Sequence, residues 1–102
     1  MFYSPDCSHC EYSLDAMERS PERLSGVDMY FLTPAPLDDR HIAARWPRLA
    51  TSPGKTWGHV DLAAWMRTTG VAITPSFFVV DSSGTLRTVI RGEMSLEALL
   101  RS

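Results

Sequence analysis

A chain of 102 residues with 44% apolar and 22% charged residues has the length and composition of one globular domain. At this size roughly 60–65% of the unfolded surface can be buried, enough for one core without staples. A formal net charge of −2 gives no footprint for nucleic acid or an anionic membrane, and no apolar run approaches the ~18 residues of a transmembrane helix.

The chain opens on an apolar strand end, Met1-Phe2-Tyr3, followed by Ser4-Pro5-Asp6. A helix is predicted from near Ser8, with Asp6 as its cap and Cys10, Tyr12, Leu14 and Met17 at helical spacing. Ser20-Pro21-Glu22 reads as a helix restart, capped by Ser20 and ended by Gly26. Val27 to Leu32 is a strand candidate, and Thr33-Pro34-Ala35-Pro36 a stiff loop. Asp38 to Trp46 is predicted helical, with Asp38-Asp39 as an N-terminal charge pair and Pro47 as the stop. Residues 48–58 read as irregular, with Pro53-Gly54 as a turn. Asp61 can cap a helix over Leu62 to Thr69, closed by Gly70. Ser76 to Val80 is a strongly apolar strand, Asp81-Ser82-Ser83-Gly84 a hairpin signal, and Leu86 to Arg91 the returning strand. Ser95 caps a last helix through Leu96, Leu99 and Leu100. This order of a short strand, helix, strand, helices, hairpin and helix predicts an α/β domain with a mixed sheet and a right-handed first crossover.

Residues 7 to 10 read Cys-Ser-His-Cys, and Cys7 and Cys10 are the only cysteines. Thiols at this spacing can close a small disulfide ring across one helical turn. At a helix N-terminus the first thiol feels unpaired N–H groups and the positive end of the dipole. Both favour thiolate, the reactive form. His9, as imidazolium, would stabilise the Cys7 thiolate further and make the disulfide more oxidising. Glu11 would oppose it slightly. Two cysteines are not a disulfide framework, so they leave the compartment open. No basic n-region with an apolar h-region is visible, which fits a cytoplasmic chain or a mature or trimmed form. A zinc site needs about four ligands. The other soft ligands, His9, His41 and His59, have no knuckle-like spacing. His41 and His59 read as surface or capping residues. Trp65, with Leu62 and Met66, reads as core. Trp57, in a Gly-containing loop, reads either as a substrate contact or as loop packing.

The whole pattern resembles the thioredoxin-like superfamily, and within it the bacterial periplasmic thiol:disulfide interchange proteins. Phe2 to Cys10 looks like the segment from strand to active site. Gly70-Val71-Ala72-Ile73-Thr74-Pro75-Ser76-Phe77-Phe78-Val79-Val80-Asp81 looks like the family's second signature, and Gly84 to Leu100 like its closing strand, bend and helix. The resemblance implies one thioredoxin-like domain over residues 1–102, with a helical insertion at 33–69. It implies that Cys7 is the exposed nucleophile, Cys10 the buried resolving thiol, Pro75 cis beside them, and Thr74 a contact for substrate backbone. It implies no cofactor beyond the redox-active Cys7–Cys10 disulfide, and partners that are protein thiols or disulfides and a redox partner protein. It also implies an exported, periplasmic location. Thr before the proline resembles the isomerase branch, and His before the second cysteine the oxidase branch. A first strand beginning at Phe2 is short for this family, which points to residues upstream or to a second copy of the chain completing the sheet. The resemblance lacks the buried acidic residue that many relatives carry on that strand.

Three functions compete at this level. The first is a thiol–disulfide oxidoreductase, an oxidase or reductase rather than an isomerase, since no dimerisation domain is present. The second is a copper- or zinc-handling module using the same cysteines and a histidine. The third is a non-catalytic thioredoxin-like interaction domain.

Overall fold

In the computed structural model, which describes residues 1–102, the sheet is organised around Phe2. This residue bridges Leu32 in parallel on one side and Ser76 in antiparallel fashion on the other. Four backbone hydrogen bonds of 2.8–3.1 Å stitch Met1–Tyr3 into place: Phe2 and Ser76 exchange N–H···O bonds, Tyr3 N donates to Leu32 O, and Leu32 N to Met1 O. The short segment thus joins two strand pairs. Strands β1 (Met29–Thr33) and β2 (Lys55–His59) are parallel, and β3 (Ser76–Val80) and β4 (Leu86–Arg91) antiparallel. The result is a compact α/β fold with mixed strand pairing and flanking helices. No helix is long and apolar enough to cross a membrane.

Helix α1 (Ser8–Arg19) buries Cys10, Ser13, Leu14 and Met17 against one face of the sheet. That spacing is amphipathic, and the stripe turns towards Tyr3, Phe31 and Phe77 in the main core. Tyr12, expected on the buried side, is 56% exposed, and Ser13 takes the inward position. A 3₁₀ turn (Pro21–Leu24) follows, sending Leu24 into the core; Ser20 precedes it without a side-chain cap. Helices α2 (Asp39–Arg45) and α3 (Pro47–Thr51) add Ile42 and Leu49, with Trp46 between them, and α5 (Leu96–Leu100) adds Leu96. The opposite face is covered by α4 (Leu62–Thr69), whose Trp65 stacks on Phe2 at 4.7 Å and meets Phe78 edge-on. Leu62 and Met66 of this helix are exposed and Trp65 is only partly buried, so none of the three is the core residue expected, although Trp65 packs on the sheet.

Several sequence expectations change here. Residues 48–58 are not irregular: they contain most of α3 and β2. Pro47 ends α2 as expected but also starts α3, where its missing N–H does no harm. The expected helical insertion at 33–69 therefore carries a strand as well. Lys-Thr-Trp-Gly-His has no run of β-branched residues, and its strand state comes from parallel pairing with β1, residue by residue from Met29↔Lys55 to Thr33↔His59. The Lys55 ammonium holds that corner by donating to the Leu24, Val27 and Pro53 carbonyls at 2.8–3.2 Å. β1 itself begins at Met29 rather than Val27, which is exposed. Trp57 is neither a loop residue nor a surface contact. It stacks between Phe31 (4.3 Å) and Trp46 (5.9 Å), with Tyr3 edge-on.

Candidate active site

The helix that carries the cysteines is capped by one of them. Cys7 is extended (φ −101°, ψ 113°), and its Sγ accepts from Cys10 N at 3.2 Å. Asp6, the expected cap, does not fill that role; the larger sulfur already reaches the third N–H of the helix. The turn into the helix is closed by Cys7 N donating to Ser4 O at 3.2 Å. Both cysteines are free thiols, with sulfurs 2.8 Å apart. Their environments differ sharply. Cys7 is partly exposed, whereas Cys10 has no exposed surface and sits in the core beside Leu14 and Tyr3.

The second sequence element arrives from the far end of the chain. The Thr74–Pro75 peptide is cis, as the resemblance implied, and Pro75 is buried. The Cys7 thiol donates to the Thr74 carbonyl at 3.5 Å. Ser76 anchors the segment from behind, its hydroxyl donating to Ile73 O at 2.6 Å and its backbone pairing with Phe2. Cys7, Cys10, Thr74 and Pro75 are thus brought together, the juxtaposition that the resemblance implied. Ile73, which sequence reasoning passed over, stands 52% exposed next to Thr74. An apolar residue flanking an expected contact position was the available signal. The pocket behind Tyr3, lined with Pro5, Thr33, Pro36, His41 and Trp46 among others, has about 20 Å³, room for one water rather than for a substrate.

The electrostatics separate the two sulfurs. Burial opposes ionisation of Cys7. Hydrogen bonds from the Cys10 thiol, the Thr74 side chain and the Cys10 and His9 backbone N–H groups outweigh it and hold Cys7 below its ordinary thiol value. Burial first, then the neighbouring Cys7 sulfur, push Cys10 up to about 12. Burial and then the charge of Cys10 likewise push the Tyr3 phenol up to about 12. Negative charge placed on this pair therefore resides on Cys7.

His9 is fully at the surface, and its side chain does not lie on the Cys7 sulfur as sequence reasoning assumed. Its Nδ1 pairs with Glu93 Oε2 at 2.8 Å. The link to Glu93 raises the imidazole above its ordinary value, with the Cys7 charge a smaller contribution of the same sign. Glu11 is engaged by Arg45 at 3.0 Å, which blunts the opposition to thiolate expected of it. Asp15 accepts from Arg45 and from Trp46 Nε1, pinning α2 to α1 behind the site. No group of three or more His, Cys, Asp and Glu side chains is arranged to hold a metal ion.

No protein-family model, curated protein or solved structure matches this chain.

Proposed function

We propose that this protein is a thioredoxin-like thiol–disulfide oxidoreductase acting on protein cysteines through Cys7 and Cys10. The observation that carries this reading is the asymmetry of the pair: two free thiols with sulfurs 2.8 Å apart, one reachable and biased to thiolate, the other fully buried and held as thiol. In the reducing direction the Cys7 thiolate attacks one sulfur of a substrate disulfide. A Cys7–substrate S–S bond forms as the substrate bond breaks, and the departing thiolate takes a proton from water. Cys7 is now neutral, so the contribution it made to holding the Cys10 proton disappears. Cys10 gives that proton to solvent and attacks Cys7 Sγ, releasing the second substrate thiol. The chain is left with a Cys7–Cys10 disulfide, and two electrons have passed to the substrate. The reverse sequence oxidises a substrate dithiol.

Thr74, Pro75 and the exposed Ile73 would form the wall against which a substrate segment lies, and partners would be extended protein segments carrying cysteine. The family's exported members make a periplasmic setting the natural one for this chemistry.

Equilibration of the pair in glutathione buffers tests the reading. A reversible two-electron couple is expected, and a Cys10→Ser variant should accumulate a mixed disulfide with a cysteine-containing protein at Cys7. If no reversible couple appears and Cys10→Ser traps nothing, the protein is not an oxidoreductase.

A further inference from the structure

The first turn of α1 is tied to a part of the chain that the exchange chemistry does not itself require. Glu93 follows Gly92, whose φ of +100° lets the chain turn sharply as it leaves β4. Gly92 N donates to Pro75 O at 2.8 Å, so the turn is fastened to the same strand that carries the Thr74–Pro75 segment. That anchorage brings the Glu93 carboxylate to His9 Nδ1 at 2.8 Å, although the two are 84 positions apart in sequence. His9 in turn lies in the helical turn that Cys7 caps, and its backbone N–H is among the groups that support the Cys7 sulfur.

Several of the other charges around α1 are committed elsewhere, while Asp6, just before Cys7, and Arg19, in the last turn, form no ion pair. Glu11 and Asp15 are held by Arg45 of α2, Glu18 by the N-terminus of α3, and Arg23 by Glu97 of α5. The charges that act on His9 are Glu93, from the loop before α5, and Cys7, the cap of its own helix.

The geometry points to Glu93 as a positioning residue for the Cys7–Cys10 couple, holding His9 as the imidazolium half of a charge pair in the turn next to Cys7. This rests on the oxidoreductase reading and adds to it a residue outside both sequence signatures. A histidine with a raised pKa is fully charged below its ordinary value and loses that charge only as pH rises through the raised one. Between those limits His9 is a cation here where a free histidine is neutral. In that window the imidazolium, which interacts favourably with the Cys7 charge, stabilises the thiolate and with it the reduced form.

The test is a double-mutant cycle read as the redox equilibrium with glutathione across pH 5.5–8.5: wild type, Glu93→Gln, His9→Gln and the double variant. Thermal midpoints and the His9 titration by NMR are taken on the same samples. Just above the ordinary histidine value, Glu93→Gln should shift the equilibrium towards the disulfide form by roughly two- to fivefold, the size expected of screened surface charges. Its His9 should titrate at lower pH. At the acid end the shift should vanish or reverse, because His9 is charged in both proteins and only a carboxylate has been lost. In the His9→Gln background, Glu93→Gln should produce no shift towards the disulfide. An equal shift in both backgrounds, an unchanged His9 titration, or a shift that follows only the thermal midpoint would overturn the role of Glu93. A wild type without a reversible couple would remove the oxidoreductase reading itself, and this inference with it.

Discussion

Helix α3 has no side chain of its own to cap it, and the residue that does so comes from the cysteine-bearing helix. Pro47 occupies the first helical position and has no N–H; Ala50 N bonds Trp46 O at 2.9 Å. The remaining donors, Arg48 N and Leu49 N, both reach the Glu18 carboxylate, at 3.0 and 2.9 Å. Glu18→Ala orphans both, and the Leu49 N–H is partly buried. Losing a side-chain cap costs about 0.5–2 kcal/mol, and two charge-assisted bonds place this case near the top, at about 1–2 kcal/mol. For a domain of this size that lowers Tm by roughly 5–15 °C. Glu18→Gln keeps one acceptor oxygen and should lose less than half as much. Urea unfolding followed by tryptophan fluorescence reads both, with an unchanged m-value showing that the native and denatured states are otherwise alike. If Glu18→Ala stays within the roughly 0.5 kcal/mol of an ordinary surface change, the capping argument is wrong.

Two further outcomes follow from the site and the core. Iodoacetamide should label the reduced native protein once per chain, at Cys7, with a midpoint below that of a free cysteine. Cys10 should react only after denaturant is added, and peptide mass mapping that found both sites labelled alike in the native state would contradict the assigned asymmetry. The linked pH effect has opposite signs at the two thiols. Cys7's support of the reduced fold is present above the ordinary thiol value and fades as pH falls through its lowered one, whereas that of Cys10 is present below the ordinary value and is lost as pH rises towards 12. Trp46→Phe and Trp57→Phe both remove indole volume from one aromatic stack. Only Trp46 also donates to a carboxylate, at 2.8 Å to Asp15, while the Trp57 indole N–H is buried without a partner. Trp46→Phe should therefore cost about 1–2 kcal/mol more than Trp57→Phe in chemical denaturation. Equal costs would show that the Asp15 bond contributes nothing.

Most of the site was legible because its signals are local. Cys-Ser-His-Cys ahead of an amphipathic run, and Thr-Pro ahead of an apolar strand, each announce themselves within a few residues. The caps at Asp61 and Ser95 follow from the sequence for the same reason, each bonding a backbone N–H three residues along, and Asp38, expected as half of a charge pair, caps α2 in the same way. Asp6 failed as a cap because a cysteine sulfur one position later did the same job. β2 was missed because nothing within Lys-Thr-Trp-Gly-His favours a strand over a loop, and its partner lies on β1, far back in the chain.

Helix α1, the β3–β4 hairpin, the last helix and the candidate thiol pair were determined by the sequence alone, since periodicity, capping and turn chemistry act over a single turn or hairpin, while the place of Thr74–Pro75 beside the thiols came from the family resemblance. What surrounds the thiols was decided by tertiary structure. That His9 faces Glu93 and that Glu18 caps a neighbouring helix depend on groups brought together across 30 or more positions, and Trp57 packs against the core through Tyr3, Phe31 and Trp46 from other parts of the chain. Burial and charge act through space, so while the helix N-terminus already favours a Cys7 thiolate, the rise of Cys10 and the part that Thr74 plays follow only from the folded chain.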